Sequence, residues 1–287
     1  MKLSIIIVNW NTCEITLQAL RSVYQETQGF DFEVILIDNN SADKSVEKIR
    51  AEFPQVQLVV NTDNLGFGRA NNQGLKIAKG EYIFLLNSDT IVLNGAIQTL
   101  VKYLDEHPAV AVLGPKLLNA DKTFQHSCRR RLPNPLNSFF HLFGLARLFP
   151  KSKMATNYKR YADDSNVTEP AEILSGAAMF FRRQVYETVG GFDERFFMYG
   201  EDVDLCKRIL DAAYKIMFVH TAEIIHLGGA SSKKRKTKSL INFYEAMWIY
   251  YDKHYHNQHI ILFRWVIWLG IRARMYLALL VNYCKNS

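Results

Sequence analysis

Short apolar runs that each end in a cluster of Asn, Asp and Ser constrain this chain more than any other feature. Leu3-Ser-Ile-Ile-Ile-Val8 stops at Asn9-Trp10-Asn11, Glu33-Val-Ile-Leu-Ile37 at Asp38-Asn39-Asn40-Ser41, and Glu81-Tyr-Ile-Phe-Leu-Leu86 at Asn87-Ser88-Asp89. Val56-Gln-Leu-Val-Val60 is a further run between them. Runs of this length, rich in β-branched residues, read as strands buried on both faces. Helical segments separate them. Leu17, Leu20, Val23 and Tyr24 recur at helical spacing behind Asn11 or Thr12 as a cap, and Val46, Ile49 and Phe53 follow Ser41 or Asp43. The stretch Asn64 to Gly74 leads into a third helix. This rhythm predicts βαβ units and an α/β fold around a mostly parallel twisted sheet flanked by helices. Ligands of such sheets bind beyond the carboxyl ends of the strands, where the polar clusters stand.

The second half is less regular. Residues 115–170 read as irregular, with Cys128-Arg-Arg-Arg131, Pro133, Pro135 and the aromatic stretch Phe139 to Phe149. Ile173 to Phe181 reads as one buried strand, Gly190 to Gly200 as a loop and Glu201 to Ala212 as a helix. After Ile224-Ile-His226-Leu-Gly-Gly229 comes a basic run, Lys233-Lys-Arg-Lys236 and Lys238, then aromatic and apolar residues with interspersed Arg. A boundary near residue 230 is expected, dividing a domain over 1–230 from a helical extension over 231–287.

Composition narrows the function classes. Of 287 residues, 48% are hydrophobic and 22% charged, which is globular and excludes disorder and fibrous repeats. A net charge of +7 favours an anionic partner: nucleotide phosphate, nucleic acid or an anionic membrane surface. Cys13, Cys128, Cys206 and Cys284 form no Cys-x-x-Cys pair, so neither a structural zinc site nor a disulfide framework is expected, and a reducing cytosol fits. Leu3 to Val8 is too short for a secretory apolar region, so no signal peptide is expected.

Several constellations could carry chemistry, each beside a plainer reading. Asp38 and Asp89 end strands and would face one crevice; each is either a helix cap or a carboxylate that holds Mg²⁺ or Mn²⁺ against a diphosphate. Gly66-Phe-Gly68-Arg-Ala-Asn71 approaches a dinucleotide fingerprint but has Asn71 where the third Gly belongs. Glu201-Asp202-Val-Asp204 is either an acidic helix start that suits the dipole or the source of a general base for an acceptor hydroxyl. His226 is a structural histidine or a ligand, with His220 as a nearby competitor.

Taken together, the stretches Ser4 to Asn11, Asp38 to Asp43, Asn64 to Gly74, Leu85 to Thr90, Ser175 to Met179, Gly191 to Asp193, Phe197 to Cys206 and His226 to Gly229 resemble, in order, a family-2 glycosyltransferase of the GT-A fold. The likeness is to bacterial rhamnosyltransferase-like enzymes that build surface polysaccharides. It implies an inverting transfer from a nucleotide-sugar donor to a saccharide or lipid-linked acceptor, with a divalent metal, Mn²⁺ or Mg²⁺. It implies that Val8, Asn9 and Asn11 hold the nucleotide, that Asp38 meets the base or ribose, and that Asn64, Gly68 and Asn71 line the nucleotide cleft. Asn87-Ser88-Asp89 stands at the family's Asp-x-Asp motif, so Asp89 and then His226 would hold the metal. Asp202, with Glu201 beside it, would supply the catalytic base. The first Asp of that motif is Asn87 here, one negative charge fewer; rhamnosyltransferase-like members often share this substitution, so the resemblance favours a dTDP-sugar over a UDP-sugar.

Two other classes compete. A sugar-nucleotide nucleotidyltransferase calls for a Gly-rich basic loop after the first strand, where this chain has Asn9-Trp10-Asn11-Thr12. A nucleic-acid-binding protein fits the charge but lacks zinc-finger spacing or an aromatic RNA-binding signature, so no nucleic-acid partner is expected. Ile260 to Val281 is long enough to span a bilayer, yet Arg264, Arg272 and Arg274 oppose spanning. On a helical wheel these arginines and Lys285 share one arc, which suits a helix lying on the cytoplasmic face of a membrane with Trp265 and Tyr276 at headgroup level, or a helix packed on the catalytic domain.

Overall fold

The computed structural model describes residues 1–133, 165–228 and 236–286. Pro135, Phe139 to Phe149, Gly229, Lys233 to Arg235 and the expected boundary near residue 230 lie outside the described residues.

The apolar runs become strands β1 (Leu3–Asn9), β2 (Phe32–Asp38), β3 (Gln57–Val60) and β4 (Tyr82–Asn87), separated by helices α1 (Cys13–Glu26), α2 (Ser45–Glu52) and α3 (Phe67–Ile77). β1 sits between β2 and β4, β3 lies outside β2, and all these pairs are parallel. Leu3, Ile5, Ile6 and Ile7 are fully buried, as befits a strand covered on both faces. Helix α3 approaches β1 so closely that a Cβ on Gly74 would stand 2.5 Å from Ile6 Cγ2.

Beyond β4 the topology changes. The chain continues through β5 (Thr90–Val92), helix α4 (Ala96–Glu106), β6 (Val110–Leu118), β7 (Arg129–Arg130), β8 (Glu169–Pro170), β9 (Ile173–Leu174) and β10 (Ala178–Arg182). Helices α5 (Arg183–Val189) and α6 (Glu201–Asp211) and strand β11 (Lys215–His226) follow. The nine-stranded sheet has the order β3-β2-β1-β4-β10-β6-β11-β5, with β8 on β11. β10 is antiparallel to both β4 and β6, so the sheet is mixed, although β1, β2, β3, β4, β6 and β11 share one direction. The expected single strand Ile173 to Phe181 is two. β9 pairs with β7 in a separate ribbon whereas β10 enters the main sheet, and Ser175-Gly176-Ala177 carries the chain between them. The stretch 115–170 is likewise not irregular throughout, since β6, β7 and β8 reach into it.

The start of α1 also differs from expectation, whereas Asp43 stands at the start of α2 as expected. Thr12 stands at the N-cap of α1, but its hydroxyl donates to Asn9 Oδ1 at 2.7 Å. Asp43 serves instead. One of its carboxylate oxygens accepts from the Cys13 N–H of α1 and the other from the Ser45 N–H of α2, each at 3.0 Å. Negative charge is favoured at a helix N-terminus, and here one carboxylate meets two of them.

Helices α7 (Lys236–Tyr255) and α8 (Ile261–Asn286) form a C-terminal hairpin. Ala246 and Tyr250 of α7 belong to the main core. Asp204 of α6, fully buried, accepts from Lys253 Nζ at 2.7 Å, His254 Nε2 at 2.8 Å and Arg208 Nε at 2.9 Å. Burial alone would raise the Asp204 pKa; the hydrogen bonds from His254 and Lys253 outweigh it and hold the carboxyl below its ordinary value.

α8 sets Ile267 and Ile271 against Tyr251. Arg264 and Arg272 do not point toward a headgroup arc as the wheel suggested. They turn to α7, where Arg264 meets Asp252 at 3.3 Å and Arg272 forms a fork with Glu245. Two acids on the neighbouring helix draw them in. The opposite face is bare, with Leu262, Trp265, Val266, Leu269, Leu277 and Leu280 each 42–68% exposed.

Asp204 therefore ties the hairpin to the body. Removing one partner of a buried charge cluster typically costs about 3–5 kcal/mol. Asp204→Asn should lower the folding free energy by about that much in urea denaturation; a midpoint like that of the wild type would show that the cluster contributes little.

Candidate active site

The ends of β1 and β2 are held together by a saturated polar knot. Asn9 is fully buried; its amide nitrogen donates to Asp38 Oδ2 at 2.7 Å and Ser41 Oγ at 3.1 Å. Its Oδ1 accepts from the hydroxyls of Thr12 and Thr16, both at 2.7 Å. Asp38, also fully buried, takes the Ser41 N–H at 2.8 Å on its other oxygen. Buried polar groups require such partners, and here the protein supplies them all. Asn71, 1% exposed, donates to Phe67 O at 3.0 Å, and Gly68 is buried against Phe192. Asn9, Asp38, Gly68 and Asn71 thus face the protein and shape the crevice from behind.

Val8, Asn11 and Asn64 stand at its edge, partly exposed. Asn11, at φ 55°, accepts from the Ala42 N–H at 2.7 Å and so joins the loops after β1 and β2. Asn64 Oδ1 accepts from the Gly66 N–H at 3.0 Å.

At the end of β4 the sequence reading finds its partners. Antiparallel pairing of β5 with β11 sets His226 opposite Thr90, one residue past Asp89. His226 Nε2 lies 3.3 Å from Asp89 Oδ1 and 3.4 Å from Asn87 Nδ2. Its Nδ1 lies 2.8 Å from Gln125 Oε1, while Gln125 Nε2 donates to Asn119 Oδ1 at 3.2 Å. This orients the Gln125 amide so that its Oε1 accepts from the His226 Nδ1–H, and Nε2 faces Asp89. Asn87 Oδ1 is buried without a hydrogen-bond partner among the described residues. Ser88 is turned away, 3.3 Å from the Thr12 hydroxyl. A carboxylate oxygen and an imidazole nitrogen lie side by side here. The set suits a Mn²⁺-like cation that draws its remaining ligands from a diphosphate. Among the described residues no group of three or more His, Cys, Asp or Glu gathers as a self-sufficient metal cage.

The three acids that open α6 have separate fates. Asp204 is in the buried cluster described above. Asp202, partly exposed, takes the Val203 N–H on Oδ1 at 2.8 Å. Its Oδ2 takes the Gly176 N–H at 3.2 Å and Arg130 at 2.5 Å. Glu201 is 7% exposed and its Oε2 has no hydrogen-bond partner among the described residues.

Sequence reasoning missed three contributors: Gln125, Arg130 and the turn at Gly176-Ala177. Arg130 left a signal in Cys128-Arg-Arg-Arg131, and the turn left one in the Ser175 to Met179 stretch; Gln125 left none. The turn matters most. Ala177 O accepts from the Asn87 N–H at 2.9 Å, and Gly176 N–H donates to Asp202. Consecutive residues thus link the Asp89 strand end to the Asp202 helix start.

Burial, and then the negative charge of Asp202, push the Glu201 carboxyl up to about 8. A folded-state pKa above the unfolded one stabilises the fold at low pH, and that stability is lost as pH rises through the folded value. Glu201→Gln mimics the neutral acid and escapes this loss. Wild type and variant should melt alike near pH 5, and the wild type should melt lower above pH 8; parallel melting curves across that range would show that Glu201 is not held neutral.

Comparison with known proteins accords with this geometry. Residues 4–190 match the family described as glycosyl transferase family 2, and residues 156–228 match the one described as the N-terminal domain of galactosyltransferase. The chain is 29% identical over 233 residues to the N-acetylglucosaminyl-diphospho-decaprenol L-rhamnosyltransferase of Mycobacterium tuberculosis, covering 77% of this chain and 75% of that protein. It is 28% identical over 235 residues to the O-antigen biosynthesis protein RfbC of Myxococcus xanthus, covering 81% of this chain and 18% of that one. Its fold resembles Staphylococcus aureus TarS 1-349, with a TM-score of 0.57, 18% identity and coverage of 96% and 72% of the two chains. It equally resembles the mannosyltransferase PcManGT of Pyrobaculum calidifontis, solved with GDP-Man and Mn²⁺, with a TM-score of 0.58, 18% identity and coverage of 96% and 70%. The family match runs from β1 through α5 and takes in the Asn87-Ser88-Asp89 strand end. The chain belongs to glycosyl transferase family 2.

Proposed function

We propose that the chain is an inverting glycosyltransferase of surface-polysaccharide synthesis. It moves a sugar, rhamnose by analogy with its Mycobacterium relative, from a dTDP- or UDP-linked donor to a hydroxyl of a saccharide or lipid-linked saccharide. The observation that carries this reading is the Gly176-Ala177 turn, which hydrogen-bonds Asn87 on one side and Asp202 on the other. It sets a candidate base beside a candidate diphosphate site.

Asp89 and His226 Nε2 would hold a divalent cation there. Such a cation, when bound, supplies charge neutralisation for the departing diphosphate. Asp202 accepts the proton of the acceptor hydroxyl as the new C–O bond forms at the anomeric carbon. The bond from that carbon to the diphosphate oxygen breaks, its electron pair leaves with the nucleoside diphosphate, and attack from the opposite face inverts the centre. Loss of a general base costs about 10²–10⁴-fold in rate. With dTDP-rhamnose, a GlcNAc-diphospho-lipid acceptor and Mn²⁺, Asp202→Asn should lose that much turnover while keeping donor affinity. Asp89→Ala should lose activity, and excess EDTA should inhibit. Full turnover in EDTA, or an active Asp202→Asn beside a dead Glu201→Gln, would overturn the assignment of metal or base.

The bare face of α8 supports a position on the cytoplasmic face of an anionic membrane, where a lipid-linked acceptor would be met. Its Leu and Val side chains flank Trp265, and Tyr276 is 66% exposed, the pattern of a helix lying in an interface. Ile261–Cys284 is also long and apolar enough to span, at a mean hydropathy of 1.2. The commitment of Arg264 and Arg272 to α7 favours the lying pose. The full chain should co-sediment with anionic vesicles at low salt, and a chain carrying Leu269→Glu and Leu277→Glu should stay in the supernatant; equal partition of the two would remove the face as a membrane surface.

A further inference from the structure

We propose that Arg130 recognises an anionic, phosphate-bearing group on the acceptor, and that engaging it releases Asp202 to take the acceptor's proton. The inference rests on the reading of Asp202 as the base. The Arg130 guanidinium lies 2.5 Å from Asp202 Oδ2, with 20% and 14% of the two side chains exposed. The same oxygen takes the Gly176 N–H, and Oδ1 takes the Val203 N–H. A carboxylate engaged this way is poorly placed to receive an acceptor hydroxyl, which must approach to about 2.6–3.2 Å. Arg130 must find another partner for the base to act, and a phosphate is the natural competitor for a guanidinium fork.

The surroundings are built for such an exchange. Successive side chains alternate along a strand. Arg129 is 1% exposed, ion-paired with Glu169 and stacked at 4.2 Å over the Phe218 ring, which anchors β7. Arg130 reaches Asp202 instead, and Arg131 beside it is exposed. Glu201 adds a buried oxygen that lacks a partner among the described residues, as a site awaiting a polar ligand would. The donor diphosphate is an unsuitable source of the anion, because Asp89 and His226 stand at the ends of β4 and β11, whereas Arg130 comes from the β7–β9 ribbon on the Asp202 side of the turn. In a sugar joined to a lipid through a diphosphate, the anion stands one pyranose ring away from a hydroxyl poised at Asp202.

The test compares two acceptors that share GlcNAc, a diphospho-linked short-chain lipid and an octyl glycoside without phosphate, with dTDP-rhamnose as donor. Arg130→Gln should lower kcat/KM for the diphosphate acceptor by about 10- to 100-fold, the range for one charge-assisted contact, and raise it for the octyl glycoside, whose hydroxyl then meets an Asp202 already free of Arg130. Arg130→Lys should recover part of the loss, since charge remains and the fork does not. An equal loss on both acceptors would mark a structural role, and a loss confined to donor KM would assign Arg130 to the donor; either overturns the proposal. Calorimetric titration of the diphosphate acceptor alone, in EDTA and without donor, separates this inference from the transfer reading. The wild type should bind and Arg130→Gln should bind at least tenfold more weakly whether or not turnover is seen, and equal binding, or none by the wild type, refutes the role of Arg130.

Discussion

The hydrogen bond from the Asn87 amide to the Ala177 carbonyl fixes where the rest of the cleft stands. It forms where β4 ends and the chain is about to enter β10 in the opposite direction. Because β10 lies against β4, the residues just before it must pass over the mouth of the parallel half of the sheet. The next amide back, Gly176, then has no strand partner and is satisfied by Asp202. A Cβ at Gly176 would meet Asp202 Cβ and the Phe67 ring at 3.4 Å, ordinary van der Waals contact. An alanine would fit there, so neither crowding nor backbone strain requires the glycine. The separation of the two carboxylate stations follows from main-chain geometry, and side-chain choice decides only what each station does.

Much of this was legible in the sequence, and the illegible parts share a cause. β1 to β4 and the helices between them follow from local periodicity, and so do the polar strand ends. The hidden features depend on pairing across long stretches of chain. Nothing local distinguishes Ile173 to Phe181 from one strand; its division comes from two different neighbours, β7 and β4. Asp38 and Asn9 read as ligand-facing residues because they follow strands, yet they saturate one another, and only the parallel register that sets Asn9 beside Asp38 reveals it. The approach of His226 to Asp89 came from family resemblance, and its physical basis is the β5–β11 register. The three acids of Glu201-Asp202-Val-Asp204 look alike in sequence and differ in surroundings because tertiary partners reach each one separately: Arg130 for Asp202, α7 for Asp204 and, among the described residues, no hydrogen-bond partner for Glu201 Oε2.

The C-terminal hairpin shows how one helix can be both packed and exposed. α8 directs Arg264 and Arg272 at acids of α7 and leaves Leu262, Leu269, Leu277 and Leu280 outward, a departure from the usual amphipathic order in which charge faces water. Since α7 also reaches Asp204, two residues along α6 from Asp202, the hairpin and the helix that carries the candidate base form one mechanical unit.

The placement of β10 also governs how the chain is made. Its antiparallel neighbour β4 ends at residue 87, whereas β10 begins at residue 178, about 90 residues later. At a synthesis rate of about 5–20 residues per second, the inner edge of β4 waits on the order of 5–20 s for its cover. Until then Tyr82 to Leu86 is a hydrophobic strand with one row of amides and carbonyls unpaired, the template on which a nascent chain joins its neighbours. The antiparallel strand that brings the cleft together is therefore also the one whose late arrival leaves the half-made sheet open to aggregation.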